Sequence, residues 1–443
     1  MSILTRNLRK RTTIEASLLR YRMYTRRVRR MLYLGCVLQD RTRSATWSYI
    51  TGFLVILMCF SQCVFLINFC RDHTDNLVLI LKCFGMTCSF IAPVLMSACF
   101  LVKRKKLMEL HETLNELFER ELARDQETKT TVLAAVCAFD RPSYVLCFTL
   151  GSTALLVLYP SLISIVHQII RREEPKRYRL PLPNKFPWPV PVDGGVSFYL
   201  HLLYQIFTLW WVVITVGSVD SLFGYYAFQI SSILRAMSAR LANPRIREVF
   251  TESLATCIQT HHRLLQCGHI LSDIWGLIII RMVVMNALLI CALIFEASPF
   301  THLTISKIFL FISYMALKLL QTFIYAWYGS LITSASEHFR DGIYFSEWPE
   351  SSLDRNIRTN VILTMMQKPI IIKALKLSSV NVNMFTTVSV KITICHMDHQ
   401  LVISCEFFDF YCAINFSEIL LSCEDTSLNI NLKIRKKYIL LKF

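Results

Sequence analysis

Few residues of this chain are of types that could do chemistry, and they do not converge. His261 and His262 stand together, and Cys395, His396 and His399 share a C-terminal stretch. A metal centre needs three or four ligands meeting at one point, and two neighbouring histidines are more often surface residues. The 16 cysteines are scattered through apolar runs, as at Cys59, Cys63, Cys88, Cys99, Cys147 and Cys291. None sits in a CxxC or Cys/His pattern, so they read as small buried hydrophobes. There is no GxSxG, HExxH, Walker A or GxGxxG in the context each requires. The sequence offers no catalytic residue, no metal site and no cofactor site. Three cations are more informative, because Lys82, Arg281 and Lys318 lie inside apolar runs. A charge within a membrane segment is a functional hypothesis by default. The plainer reading is a stem snorkelling to an interface, which suits Lys82 and Arg281 near the ends of their runs.

Such runs dominate the chain. Over half of the residues are apolar and 18% are charged, against about a quarter charged in soluble domains. A bilayer core needs about 20 apolar residues per helix. Six stretches qualify: 47–70, 77–102, 143–170, 196–219, 274–295 and 305–332. Strands are excluded by run length and by the lack of period-2 alternation. The formal charge of +17 could suggest nucleic acid, but with this apolar fraction it belongs beside a membrane. No nucleic-acid partner is expected.

Lys and Arg counts orient the bundle. If six helices alternate, the flanks on one side carry 31 basic residues and those on the other carry 7. The positive-inside rule puts residues 1–43 in the cytosol, with no apolar signal region among them. Residues 44–332 form the bundle of six helices. Within it, 103–140 reads as an amphipathic inner helix extending the second span. Leu107, Leu110, Leu114, Leu117, Phe118 and Leu122 recur at helical spacing there, with glutamates between. The outer connection 171–195 contains LPLPNKFPWPVPVDGG, which is too proline-rich for a helix and reads equally as a lid or a stiff spacer.

Aromatics such as Phe207, Trp210, Trp211, Phe309 and Phe323 on these helices are mostly packing or interface residues. A subset facing a cavity would bind small apolar molecules by shape and dispersion. Ser152, Leu155 and Tyr159 fall on one face of the third span. By depth and helix face, these three with Tyr204, Phe311 and Tyr314 are the candidate ligand contacts.

The late part of the chain carries a resemblance. It reads WYGSLITSASEHFRDGIYFSEWPE, then a polar linker, then MMQKPIIIKALKLSSVNVNMFTTV. Ser336, Tyr344, Phe345 and Trp348, then Gln367, Lys368 and Pro369, then Phe385 and Thr386 resemble the block that precedes the last helix of insect odorant receptors. The earlier spans are similar in pattern only. The resemblance implies an all-α membrane fold of seven helices with a cytosolic N-terminus. It implies an odorant-specific tuning subunit that binds volatile ligands in the outer half of the bundle. That subunit would gate a nonselective cation channel, as a heterotetramer with a shared co-receptor, in the plasma membrane of olfactory sensory neurons. Residues 333–384 would be the cytosolic assembly block, with Tyr344, Phe345, Trp348, Gln367, Lys368, Pro369 and Phe385 in subunit contacts.

Residues 385–443 depart from the pattern. The family's last helix ends shortly after a Ser-Tyr-Ser-Tyr-Phe run, whereas here the chain continues past Val388 for 55 residues. Lys391, His396, Asp398 and His399 fall within the first turns of that helix, and Glu406, Asp409 and Glu418 follow. The tail resembles intron read-through or a frame change, so the pore helix is expected to be atypical or lost. Two alternatives stay open. A gustatory-receptor-like subunit would share the architecture, although its C-terminal motif is missing. A G-protein-coupled receptor would need the reverse orientation, an Asp-Arg-Tyr after the third span and an Asn-Pro-x-x-Tyr, none of which is here.

Overall fold

The computed structural model describes residues 3–35, 45–75, 77–171, 178–190, 195–242, 247–297, 305–346, 355–374 and 378–387. Apart from one two-stranded hairpin, the regular elements in these segments are helices. They are α1 (Ile3–Leu34), α2 (Ala45–Arg71), α3 (Leu77–Val102), α4 (Arg104–Leu122) and α5 (Gln126–Ala134), then α6 (Val136–Arg171), α7 (Val196–Ala242), α8 (Arg247–Ala297), α9 (Ile305–Tyr344) and α10 (Arg355–Met366). Six of the described helices, α2, α3 and α6 to α9, are long and apolar enough to cross a membrane.

Length separates two regions of the bundle. At 1.5 Å per residue, the 51 residues of α8 span roughly 75 Å, against about 30 Å of bilayer hydrocarbon. The helices α7, α8 and α9 therefore run well beyond the membrane at one end. We call this the basic end, since it carries α1 and α4; the other, the loop end, carries residues 178–190.

At the basic end α7 is the axis. From Thr215 to Leu234 every one of its residues is buried, as expected of a helix surrounded by others. Its Phe228 packs against Tyr21 and Tyr24 of α1, Phe118 of α4 and Phe139 of α6, with ring centroids 5.5–6.5 Å apart. Its Phe223 stacks on Tyr325 of α9 at 4.7 Å and meets Trp275 of α8 at 5.9 Å. Gly224 permits this approach, because a Cβ there would come within 2.7 Å of the Tyr328 ring.

The leucine stripe of 107–118 is buried against this axis. The sequence reading of one helix over 103–140, continuous with the second span, differs from the structure. The chain breaks at Lys103, which has φ −96° and ψ 18°, and the region divides into α4, α5 and the start of α6. Lys103 and Lys106 at the break both hold Asp273 of α8, at 2.8 and 2.7 Å. Arg263 of α8 clamps Glu116 of α4, and that guanidinium holds the Glu116 carboxyl below the usual carboxylate range.

Along their membrane-spanning lengths the helices carry exposed large apolar side chains, among them Phe53, Phe60, Phe148, Leu162, Leu200, Phe207 and Phe309. Lipid tails cover such surfaces, which water would not tolerate as a contiguous patch.

Candidate functional site

Between α3, α6, α7, α8 and α9 the loop half of the bundle holds a cavity of about 210 Å³. An engineered apolar cavity of about 150 Å³ holds benzene, so this one suits a molecule somewhat larger. Its wall is mainly apolar: Met86 and Phe90 from α3, Leu150, Ala154 and Val157 from α6, Leu209 and Val213 from α7, Leu293 from α8 and Phe311 from α9. Its polar groups are Ser89, Thr153, Tyr314, Lys318 and Gln321. Tyr314 and Ser89 share a hydrogen bond, and the hydroxyls of Thr153 and Ser313 lie 3.2 Å apart.

The proline-rich connection reaches this cavity. Leu182 is part of the wall, and its N–H donates to Gln205 Oε1 at 3.0 Å. Asn184 and Gln62 exchange two amide hydrogen bonds at 2.8 and 3.1 Å. Phe186 packs on Phe65 and on His201, with centroids 4.7 and 4.5 Å apart. Proline cannot build a helix here, so the segment's backbone is satisfied from outside, by the Gln205 side chain of α7 at Leu182 and by the Phe65 carbonyl of α2, which accepts the Lys185 N–H at 3.2 Å.

At the opposite end of the cavity lies a buried charged cluster. Asp220 of α7 accepts hydrogen bonds from Tyr325 Oη at 2.6 Å and from Gln321 Nε2 at 2.8 Å. Lys318 and Arg281 are both within electrostatic reach of it. Arg281 is buried within the bundle and does not snorkel. The cluster sits one turn beyond Val216, where the wall ends. A lone aspartate just after an uncharged run, with Gln321 and Tyr325 at i and i+4 on another helix, is the signal that sequence reasoning passes over.

The six candidate contacts separate. Phe311 and Tyr314 line the cavity. Leu155 and Tyr159 are each 55% exposed on the outside of α6. Ser152 donates to the carbonyl of Thr149 in its own helix. Tyr204 lies 2.7 Å from Ser61 Oγ and donates to the Met58 carbonyl at 3.1 Å, joining α7 to α2 outside the cavity wall. On α6 the cavity takes Thr153, Ala154 and Val157, the positions adjacent to the chosen face. Lys82 has no described side chain.

The late block forms a compact cap on α9. Ser336 Oγ accepts the Ile370 N–H at 3.0 Å, directly after Pro369. Ser330 Oγ accepts the Val382 N–H at 3.0 Å. The hairpin of β1 (Lys373–Ala374) and β2 (Ser378–Ser379) buries Ala374 and delivers Val380 onto Gly329, where a Cβ would collide with the Val380 carbonyl. Phe385 meets Phe323 edge-on at 5.4 Å. Gln367 and Lys368 are exposed. Tyr344 and Phe345 are 64% and 78% exposed and touch each other at 5.1 Å. Trp348 and everything after 387 lie outside the described residues.

The bundle of long membrane helices with a mainly apolar cavity defines a multi-pass membrane protein, and comparison with known proteins says of which family. A family model described as 7tm Odorant receptor matches residues 76–390, so the chain belongs to the insect odorant receptor family. Odorant receptor 82a of Drosophila melanogaster is 21% identical over 321 residues, covering 70% of this chain and 81% of that protein. Odorant receptor 49a of the same fly is 20% identical over 284 residues, covering 62% and 69%. The fold is similar to that of the insect olfactory receptor OR5 from Machilis hrabei. That match has TM-score 0.71 and 14% identity, covering 87% of this chain and 99% of that one. The same receptor in complex with eugenol matches with TM-score 0.68 and 13% identity, covering 85% of this chain and 98% of that one. Proteins of this family and fold are receptors and channels rather than enzymes.

Proposed function

We propose that this chain is an odorant-specific subunit that binds a small volatile molecule in the cavity and that, given a family-like last helix in place of its tail, gates a nonselective cation channel with a shared co-receptor. It would act in the plasma membrane of olfactory sensory neurons, with its basic end in the cytosol. The observation carrying this reading is the cavity among five helices, apolar enough for a volatile ligand and lined in part by Leu182 of the outer connection. That a related fold is described in complex with eugenol supports it. The charge asymmetry of 31 against 7 supports the orientation.

The test compares two neighbours on α6. Ala154→Phe fills the cavity and should lower the affinity for the best odorant by tenfold or more, or change which odorant is best. Leu155→Phe, one position on, faces lipid and should leave the ranking of odorants unchanged at equal surface level. The measurement is ligand binding to purified receptor across an odorant panel. Equal effects of the two substitutions would remove the cavity from consideration.

Assembly rests on the late block. Exposed aromatics at a helix end are what a buried interface anchor needs before its partner arrives, and this supports a contact role for Tyr344 and Phe345. On this reading Trp348, Gln367, Lys368, Pro369 and Phe385 belong to the same contact region. Phe345→Ala combined with Trp348→Ala should reduce co-purification with the co-receptor severalfold without lowering membrane insertion. Full recovery of the complex would assign these side chains to packing within the subunit.

A further inference from the structure

Lys318 is the one charged residue of the cavity wall among the described residues, and its surroundings leave it incomplete. Its ammonium carries three donors. Among the described residues it has no hydrogen-bond acceptor; its nearest aromatic contact is the Tyr314 ring, with Nζ 5.3 Å from the centroid. Several neighbouring polar groups already have partners. The Gln321 amide nitrogen donates to Asp220, and Tyr314 and Ser89 share a hydrogen bond. Among the described residues, the carboxylate that Lys318 faces is Asp220, which Arg281 faces as well. The ammonium opens onto a mainly apolar cavity of about 210 Å³.

Resting on the cavity as the ligand site, we infer that the preferred ligand class is a small aliphatic carboxylic acid bound as its carboxylate. The head group accepts from Lys318 Nζ and offsets its charge. The tail runs along Met86, Ala154, Val157, Val213 and Leu293 toward Leu182. Scaling from the roughly 150 Å³ that holds benzene, the room suits an acid of about five to eight carbons. A pure hydrocarbon of the same size would seal three N–H donors against alkyl surface, which disfavours it. The lysine therefore selects by rejecting unfunctionalised ligands as well as by attracting anions.

The test uses the purified full-length chain in lipid nanodiscs. Thermal unfolding is followed by tryptophan fluorescence with hexanoate, hexanal or hexan-1-ol added, since a ligand that binds the native state raises the midpoint according to its affinity. Hexanoate should act at concentrations at least tenfold below hexan-1-ol. Lys318→Met should lose that advantage, by about 10- to 100-fold as expected for a hydrogen bond to a charged group, while hexan-1-ol binding is kept or improved. Lys318→Arg should retain hexanoate preference, and it stands in should the methionine variant fail to fold. The inference is overturned if hexanoate is no better than hexan-1-ol, or if Lys318→Met weakens all three compounds equally. It is also overturned if hexanal is preferred and is trapped on Lys318 by borohydride, which would mean a neutral amine forming an imine. The cavity reading fails separately, if Ala154→Phe leaves the binding of all three compounds unchanged.

Discussion

Replacing Asp220 by alanine should cost about 3–5 kcal/mol, the range for removing one member of a buried charged set. The carboxylate joins α7 to α9 through Tyr325 and Gln321, and it faces Lys318 and Arg281. Without it, two cations remain near each other in a dry interior, and the Tyr325 hydroxyl and Gln321 amide lose their acceptor. Charge removal and lost hydrogen bonds are separable. Asp220→Asn keeps an acceptor but loses the charge, so it should fall between alanine and the native residue. Tyr325→Phe removes a single hydrogen bond to a charged group and should cost about 1.5–3 kcal/mol. The midpoint of thermal unfolding in detergent, read for all three variants, orders them. A midpoint for Asp220→Ala within error of the native value would show that the cluster contributes no stability.

The second large effect concerns current. The family resemblance implies a seventh helix that lines the pore and begins near Phe385. In this chain Lys391, His396, Asp398 and His399 follow within its first turns. Together they disfavour insertion by on the order of several kcal/mol, on scales where one central Lys or Asp costs about 2.5–3.5. The chain as it stands should insert six helices and pass no odorant-evoked current beside the co-receptor. Replacing everything after Val388 with a Thr-Ser-Tyr-Ser-Tyr-Phe ending should bring the current back. Voltage-clamp recording of both forms decides the matter, and a robust current from the unaltered chain would mean that the tail builds a working helix.

The class of this protein was legible in its residues alone. Runs of about 20 apolar residues have one stable solution in a bilayer, because a helix alone satisfies its own backbone. The stripe of Leu107 to Phe118 was legible because α4 lies outside the membrane, where one face of a helix must differ from the other. The late block from Ser336 to Phe385 carried the family, and the family match over residues 76–390 agrees. The same physics hid the cavity. Inside a bilayer the lipid-facing and partner-facing sides of a helix are equally apolar, so helical spacing tells which residues share a face but not which face is buried. Ser152, Leu155 and Tyr159 do share a face, and on α6 the bundle uses Thr153, Ala154 and Val157 for the cavity instead. Phe311 and Tyr314 were placed by depth on a helix whose cavity side happens to be aromatic. The docking of Leu182, the burial of Arg281 beside Asp220 and the break at Lys103 all depend on partners from distant parts of the chain. Only the tertiary structure could decide them, since each is a contact between segments whose local sequence is compatible with several neighbours.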